Sequence, residues 1–288
     1  MRSIRPTRFV TRTLAFGAVA TLAMTTLLLS SAESASASTH SATSVSVVSF
    51  VSTSGGSIIS GARATLSGTT SSNLDGKTLS LQKLSGKKWV SLGITTRVSS
   101  SSTFARTFTV GSVGAAVKYR AHYAGSSHLK SSSGDITTTV SKWYSLYNQK
   151  LVSDGENYGW EHPDNYNDGF YLAGTYYPKA ITPYGKLATG HTAWSEYNLS
   201  YKCSEYSVAM GVEDGSDSGS SADFTTQLDG TTSAGASGIV ALGSAWSTTI
   251  DTEGAFRLHL EFSIVKGKAR PLWANAEILC TGSPNPQP

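Results

Sequence analysis

Short runs of β-forming residues, recurring at near-regular spacing and punctuated by Gly, Ser and Pro, confine this chain to an all-β fold. In the first half they occupy 44–50, 63–70, 78–84, 88–98, 103–110, 117–123 and 136–140. Seven strands within about a hundred residues is the density of a β-sandwich. Alternation is clearest at Val117, Tyr119, Ala121 and Tyr123, which share one side of an extended chain opposite Lys118, Arg120 and His122. Successive side chains of a strand point to opposite faces, so the apolar set is predicted to face the core.

From Trp143 to Tyr206 the composition shifts to aromatic and acidic, with Trp143, Trp160 and Trp194, Phe170, many tyrosines and a run of acids between Asp154 and Asp168. No apolar repeat of helical period extends there. Gly155, Gly159, Pro163, Gly169, Gly174, Pro178, Pro183 and Gly185 punctuate it instead, which predicts strands joined by structured loops. Further runs at 206–212, 222–228, 238–241, 256–264 and 274–279 complete a second set of strands. The expected fold class is all-β, with two β-sandwich domains.

Residues 1–37 read as a signal peptide: Arg2, Arg5, Arg8 and Arg12 make a basic start, 14–29 is largely apolar, and Ala35-Ser36-Ala37 offers a small-residue cleavage site. The apolar run falls short of the roughly 20 residues that a membrane helix needs. The expectation is a freely secreted, extracellular chain without membrane insertion. A Ser/Thr/Ala-rich leader at 38–43 precedes domains at 44–141 and 142–281, and 282–288 is a Pro-rich, disordered tail. Charge supports the division: 38–141 holds 10 Lys/Arg against 2 Asp/Glu, net +8, whereas 142–288 holds 9 against 16, net −7. The basic residues are scattered along strand-like segments rather than gathered into a nucleic-acid footprint, so nucleic acid is not an expected partner.

Cys203 and Cys280 are the only cysteines. In an exported chain an even count favours a disulfide over two free thiols, and neither has a Cys or His neighbour at zinc-ligand spacing.

Sugar rings present a C–H face that packs on an aromatic plane, while their hydroxyls need a few aimed donors and acceptors. Two stretches offer that combination. One contains Tyr158, Trp160, Glu161, His162, Asp164 and Tyr166; the other contains His191, Trp194 and Glu196. Trp160 and Trp194 are the candidate stacking platforms, with Tyr158 beside them and His191, Glu161 and Asp164 as polar selectors. For each aromatic the competing reading is packing inside a small sandwich. Glu213, Asp214 and Asp217, in a loop with Gly215 and Gly219, form a candidate Ca²⁺ site, although their spacing is not that of an EF-hand and a solvated acidic turn is the competing reading. No cofactor is otherwise required.

Three stretches carry a resemblance: GKLATGHTAWSEYNL at 185–199, MGVEDGSDSGSSADFTTQLDG at 210–230 and RLHLEFSIVKGKARPLWANAEIL at 257–279. Their order resembles family 51 carbohydrate-binding modules, the NPCBM type found attached to glycoside hydrolases such as family 98. The resemblance implies a jelly-roll-like carbohydrate-binding sandwich, galactose-containing ligands, and recognition rather than catalysis. An extracellular polysaccharide or glycoconjugate would be the partner. The family motif runs approximately Gly-Leu-Gly-Thr-His-Ala and then a Tyr-Asp-Leu strand; here Gly190 intervenes between Thr189 and His191, Asn198 replaces the Asp, and Leu272 precedes Trp273 where an Asp is usual. Trp273 is expected in the core. The stretches at 66–93 and 117–134 resemble bacterial Ig-like modules, which would make Trp89 a core tryptophan of an Ig-like sandwich.

No Gly-x-Ser-x-Gly elbow or His-Glu-x-x-His helix is present, so the expectation is a non-catalytic protein. Two alternatives stay open. A small glycan hydrolase needs only two facing carboxylates, which Glu156, Glu161, Asp164, Asp168, Glu213 or Asp214 could supply. An envelope or adhesion protein would instead contact another protein.

Overall fold

The computed structural model describes residues 40–156, 164–166 and 169–284. The described residues form β-strands joined by turns, with three single-turn 3-10 segments and no α-helix. The first seven strands are β1 (Val45–Ser52), β2 (Arg63–Thr70), β3 (Thr78–Ser85), β4 (Lys88–Arg97), β5 (Thr103–Thr109), β6 (Gly114–Tyr123) and β7 (Ser132–Val140). They pair into a three-stranded sheet, β1-β2-β5, and a four-stranded sheet, β4-β3-β6-β7.

Alternation explains what lies between these sheets. Tyr119, Ala121 and Tyr123 are buried, as their spacing predicts, with Val117 packed at the margin. Phe50 and Phe108 from one sheet meet Tyr119 from the other, with ring centroids 4.9 to 5.9 Å apart. This aromatic trio joins the two sheets where no disulfide is available.

Trp89 departs from expectation. Its ring lies under the Arg120 guanidinium at 4.4 Å, half-buried on the outer face rather than in the core. Within β4 it is Leu92, Ile94 and Thr96 that take the inward side, which leaves Trp89, an odd number of residues away, on the outer one. Arg120 is held there by its Nε donating to Gln82 Oε1 at 2.6 Å.

The second set comprises β8 (Lys142–Ser145), β9 (Ser153–Glu156), β10 (Asp164–Tyr166), β11 (Phe170–Leu172), β12 (Thr175–Tyr177), β13 (Ala180–Thr182), β14 (Leu187–Ala188) and β15 (Thr192–Asn198). It continues with β16 (Cys203–Val212), β17 (Ser221–Leu228), β18 (Thr231–Thr232), β19 (Gly238–Ala241), β20 (Ala245–Asp251), β21 (Arg257–Lys266), β22 (Lys268–Ala269) and β23 (Pro271–Cys280). One sheet runs β10-β13-β23-β16-β20 with β8 also on β23; the other runs β18-β17-β21-β15-β9 with β19 also on β17. These two sheets make the second sandwich.

Its core follows from period-two patterning. Leu258, Leu260, Phe262 and Ile264 point inward from β21, and Ala193 and Tyr197 do so from β15. Trp273 is buried at the centre, edge-on to Phe224 at 5.6 Å and tilted against Phe262 at 5.4 Å. Cys203 and Cys280 face each other across β16 and β23 and are joined by a disulfide.

β23 is apolar on both sides because its outer face is also covered. The β11–β12 hairpin lays Phe170 and Leu172 on Ala180, Ala209, Leu272 and Ala274, forming a smaller second cluster. The Asp214 carboxylate holds the hairpin turn, accepting the Ala173 and Gly174 amides at 2.8 Å each. Both turn residues have positive φ, +47° and +79°, the conformation that tight two-residue hairpins demand.

Candidate functional site

β15 alternates strictly, so Ala193, Ser195 and Tyr197 are buried and Thr192, Trp194, Glu196 and Asn198 lie on the outward face. β21 does the same: Leu258, Leu260 and Phe262 go in, leaving Arg257, His259, Glu261 and Ser263 outside. Pairing then sets the register. Trp194 stands opposite Glu261 on one side and Gly155 on the other; Glu196 stands between His259 and Ser153.

The result is a connected polar row around an aromatic ring. Trp194 stacks on His259 with centroids 5.3 Å apart and planes inclined by 25°. On the β9 side the indole presses so closely on Gly155 that a Cβ there would approach its ring atoms to 2.8 Å. Glycine at 155 therefore lets Trp194 lie against the backbone of the neighbouring strand.

Glu196 is the hub of the row. Its carboxylate accepts Ser153 Oγ at 2.6 Å and Arg257 Nη1 at 2.8 Å, and its other oxygen lies 3.4 Å from His259 Nδ1. His259 Nε2 in turn lies 3.3 Å from Glu261 Oε2. Burial by itself pushes the Glu196 carboxyl up. The hydrogen bonds from Ser153, Arg257 and His259, together with the Arg257 charge, outweigh burial and hold it below the usual carboxylate value.

The sign of that shift sets a pH dependence. A depressed carboxyl stabilises the fold above its unfolded value, near 4.5, and the contribution disappears as pH falls through the lower folded value. Glu196→Gln is expected to cost about 1.5 kcal/mol at neutral pH, the scale of a hydrogen bond to a charged group. The gap between variant and parent should close in acid. Urea midpoints measured from pH 7 downwards would check this.

Of the residues expected from sequence, Trp194 is thus in place on an outward sheet face. His191 lies in the turn entering β15, its amide donating to Ala188 O at 3.1 Å and its carbonyl accepting Ile264 N at 2.8 Å. Gly190 makes that turn at φ +86°, where a side chain would be strained. Asp164 opens β10 and pairs with Thr182 in the opposite sheet from Trp194. Tyr158, Trp160 and Glu161 lie outside the described residues.

The acidic loop divides its carboxylates among separate partners. Asp214 takes the hairpin amides, Asp217 meets Lys186 at 3.3 Å, and Glu213 meets Arg270 at 3.9 Å. Among the described residues no group of three or more His, Cys, Asp or Glu side chains is gathered as a metal would require.

Arg257, His259 and Glu261 were not singled out from sequence. The signal was present as charged residues at every second position of RLHLEFSI, matching Trp194 and Glu196 at every second position of TAWSEYN.

No protein-family model matches the chain, and no curated protein matches it. Among solved structures, the chain is similar to the second family 51 carbohydrate-binding module and INT domains of Clostridium perfringens ZmpB, described in complex with GlcNAc. That similarity has a TM-score of 0.39 and 14% identity, covering 59% of this chain and 38% of that one. It is also similar to the family 51 module of a C. perfringens GH95 protein in complex with methyl-galactose, with a TM-score of 0.36 and 16% identity over 47% of this chain and 99% of that one. The xylan-binding CBM22-1 domain of Paenibacillus barcinonensis Xyn10C has a TM-score of 0.30 and 14% identity, over 49% and 94% of the two chains.

Proposed function

We propose that this chain is an exported, non-catalytic carbohydrate-binding protein, in which an Ig-like sandwich at 44–141 precedes a sugar-binding sandwich at 142–281. The observation that carries the reading is the Trp194 face. A partly exposed indole is fixed by His259 and Gly155 beside a row of charged and polar groups, Glu196, Arg257 and Glu261. That is the pairing of aromatic surface with oriented donors and acceptors that a sugar ring requires. Export is supported by the basic start, apolar run and small-residue site within residues 1–37, and by a disulfide suited to an oxidising compartment.

The state of Glu196 argues against its serving as a glycosidase's general acid. A glycosidase needs one carboxyl raised so that it can act as a general acid. Glu196, the hub of the site, is held in the opposite direction.

A glycan array probed with the full chain, with galactose-terminated glycans as the first class, tests the reading. Binding should weaken about tenfold or more in Trp194→Ala, a loss of about 1.4 kcal/mol. A flat array from a folded sample, or an unchanged affinity in the variant, would overturn it.

A further inference from the structure

The opposite side of the second sandwich carries a groove that shares no residue with the Trp194 face. It arises from the way β23 is paired. One edge of β23 is divided between two short strands: β8 pairs with Glu277 to Cys280, and β13 pairs with Trp273 and Ala274. Between them, at Asn275 and Ala276, the ladder is interrupted, and β8 turns off through the 3-10 turn Leu146–Asn148. The Asn275 amide, donating to Lys179 O at 3.3 Å, spans the gap.

The interruption leaves a cavity of about 120 Å³ bordered by Ser145, Tyr147, Lys179, Asn275 and Glu277. A neighbouring cavity of about 190 Å³ is bordered by Tyr177, Ser207, Ser247 and again Asn275. Asn275 borders both and is the residue that the two cavities share.

Asn275 is also the residue that bends the strand. Opposite it the register with β16 shifts between Ser207 and Ala209, so β23 carries one extra residue there. Asn275 takes up the bulge in the left-handed region at φ +45°, exposed to solvent. Glycine would occupy such a bulge with less strain. Asparagine is among the side-chain-bearing residues that adopt this conformation most readily, so the bulge keeps a side chain at little cost. Here that side chain is a carboxamide, with two donors and an acceptor.

The surroundings define what the amide would meet. Tyr147 is fixed at one end, its ring 4.7 Å from the Lys179 ammonium, and Tyr177 packs at the other end on the hairpin cluster. Ser207 and Ser247 border the same cavity as Tyr177, with Thr249 Oγ1 donating to Ser207 Oγ at 3.1 Å. Lys179 and Glu277 place one charge of each sign on the rim, so a net-charged ligand would meet a like charge. Aromatic ends, neutral hydroxyls and an amide suit an uncharged, polyhydroxylated ligand.

We infer that this groove is a second saccharide site, organised by Asn275 and independent of Trp194. The test is a titration of the ¹⁵N-labelled full chain with galactose, N-acetylchitotetraose and xylotetraose at millimolar concentration, followed by NMR. At least one sugar should shift the Asn275 side-chain amide and the Lys179 and Ser207 backbone amides, and those shifts should persist in Trp194→Ala. Asn275→Gly, which keeps the bulge and removes the amide, should weaken that binding about tenfold, close to 1.4 kcal/mol, with stability unchanged or raised.

The inference is overturned if none of the three sugars moves the groove resonances, if Asn275→Gly binds as the parent does, or if the groove shifts vanish in Trp194→Ala. Failure of the Trp194 reading shows separately, as an indole resonance that no sugar moves.

Discussion

Removing the Cys203–Cys280 disulfide is expected to lower the stability of the second sandwich by up to about 4.5 kcal/mol. In the loop-entropy model the effect of a cross-link grows with the logarithm of the loop it closes, and a separation of 77 residues puts it at that magnitude. The bond also holds the end of β23 against β16 at the point where their register shifts between Cys203 and Glu205. Both sulfurs lie in residues no more than 3% exposed, so a mild reductant should leave the native bond intact and act only as the sandwich opens. The Cys203→Ala/Cys280→Ala double variant avoids that complication. Its urea transition, followed by tryptophan fluorescence, should move to lower concentration by an amount equal to the lost free energy divided by the urea slope. Four of the described tryptophans, Trp143, Trp194, Trp246 and Trp273, belong to the second sandwich and only Trp89 to the first. The tryptophan signal therefore reports mainly on the sandwich that loses the bond. A double variant with an unchanged tryptophan transition would show that the β16–β23 ladder alone already closes this loop.

The boundary between what was legible in the sequence and what was not follows how far a signal reaches along the chain. Alternation is local, and it placed β6 and the inward row Tyr119, Ala121 and Tyr123 correctly, as it placed β21 from RLHLEFSI. β20 escaped notice because it is an edge strand, AWSTTID, whose inward side consists of Trp246, Thr248 and Ile250 among exposed polar residues. The core position expected for Trp89 rests on the resemblance to Ig-like modules, whereas its own strand, with Leu92, Ile94 and Thr96 on the inward side, puts it on the opposite face. The same limit applies to the site. Trp194 was recognisable as an aromatic residue in polar company, yet its partner His259 comes 65 positions later and meets it only through the pairing of β15 with β21. Gly155 reads as loop punctuation until β9 is seen beside β15, where its missing side chain makes room for the indole. Asn275 is one of several asparagines in sequence; only the split edge of β23 gives it a groove to face.

Trp273→Ala should be the most damaging single substitution in the second sandwich, costing about 3 to 5 kcal/mol as large aromatic truncations in packed cores do. The indole is wholly buried and touches Phe224 on β17 and Phe262 on β21, while its own strand pairs with Met210 on β16 and Ile181 on β13. It therefore spans both sheets, and its removal leaves a void that neither can close without dragging the other. The milder truncation Trp273→Phe keeps an aromatic ring against Phe224 and Phe262 and leaves a smaller void, so it should cost clearly less than Trp273→Ala. The contrast separates filling from sugar contact, since a buried core residue affects binding only through the fold. Trp273→Phe should retain both the cooperative urea transition and the glycan affinity of the parent. If Trp273→Phe instead lost affinity at full stability, Trp273 would have to be counted among the residues that shape the adjoining Asn275 groove.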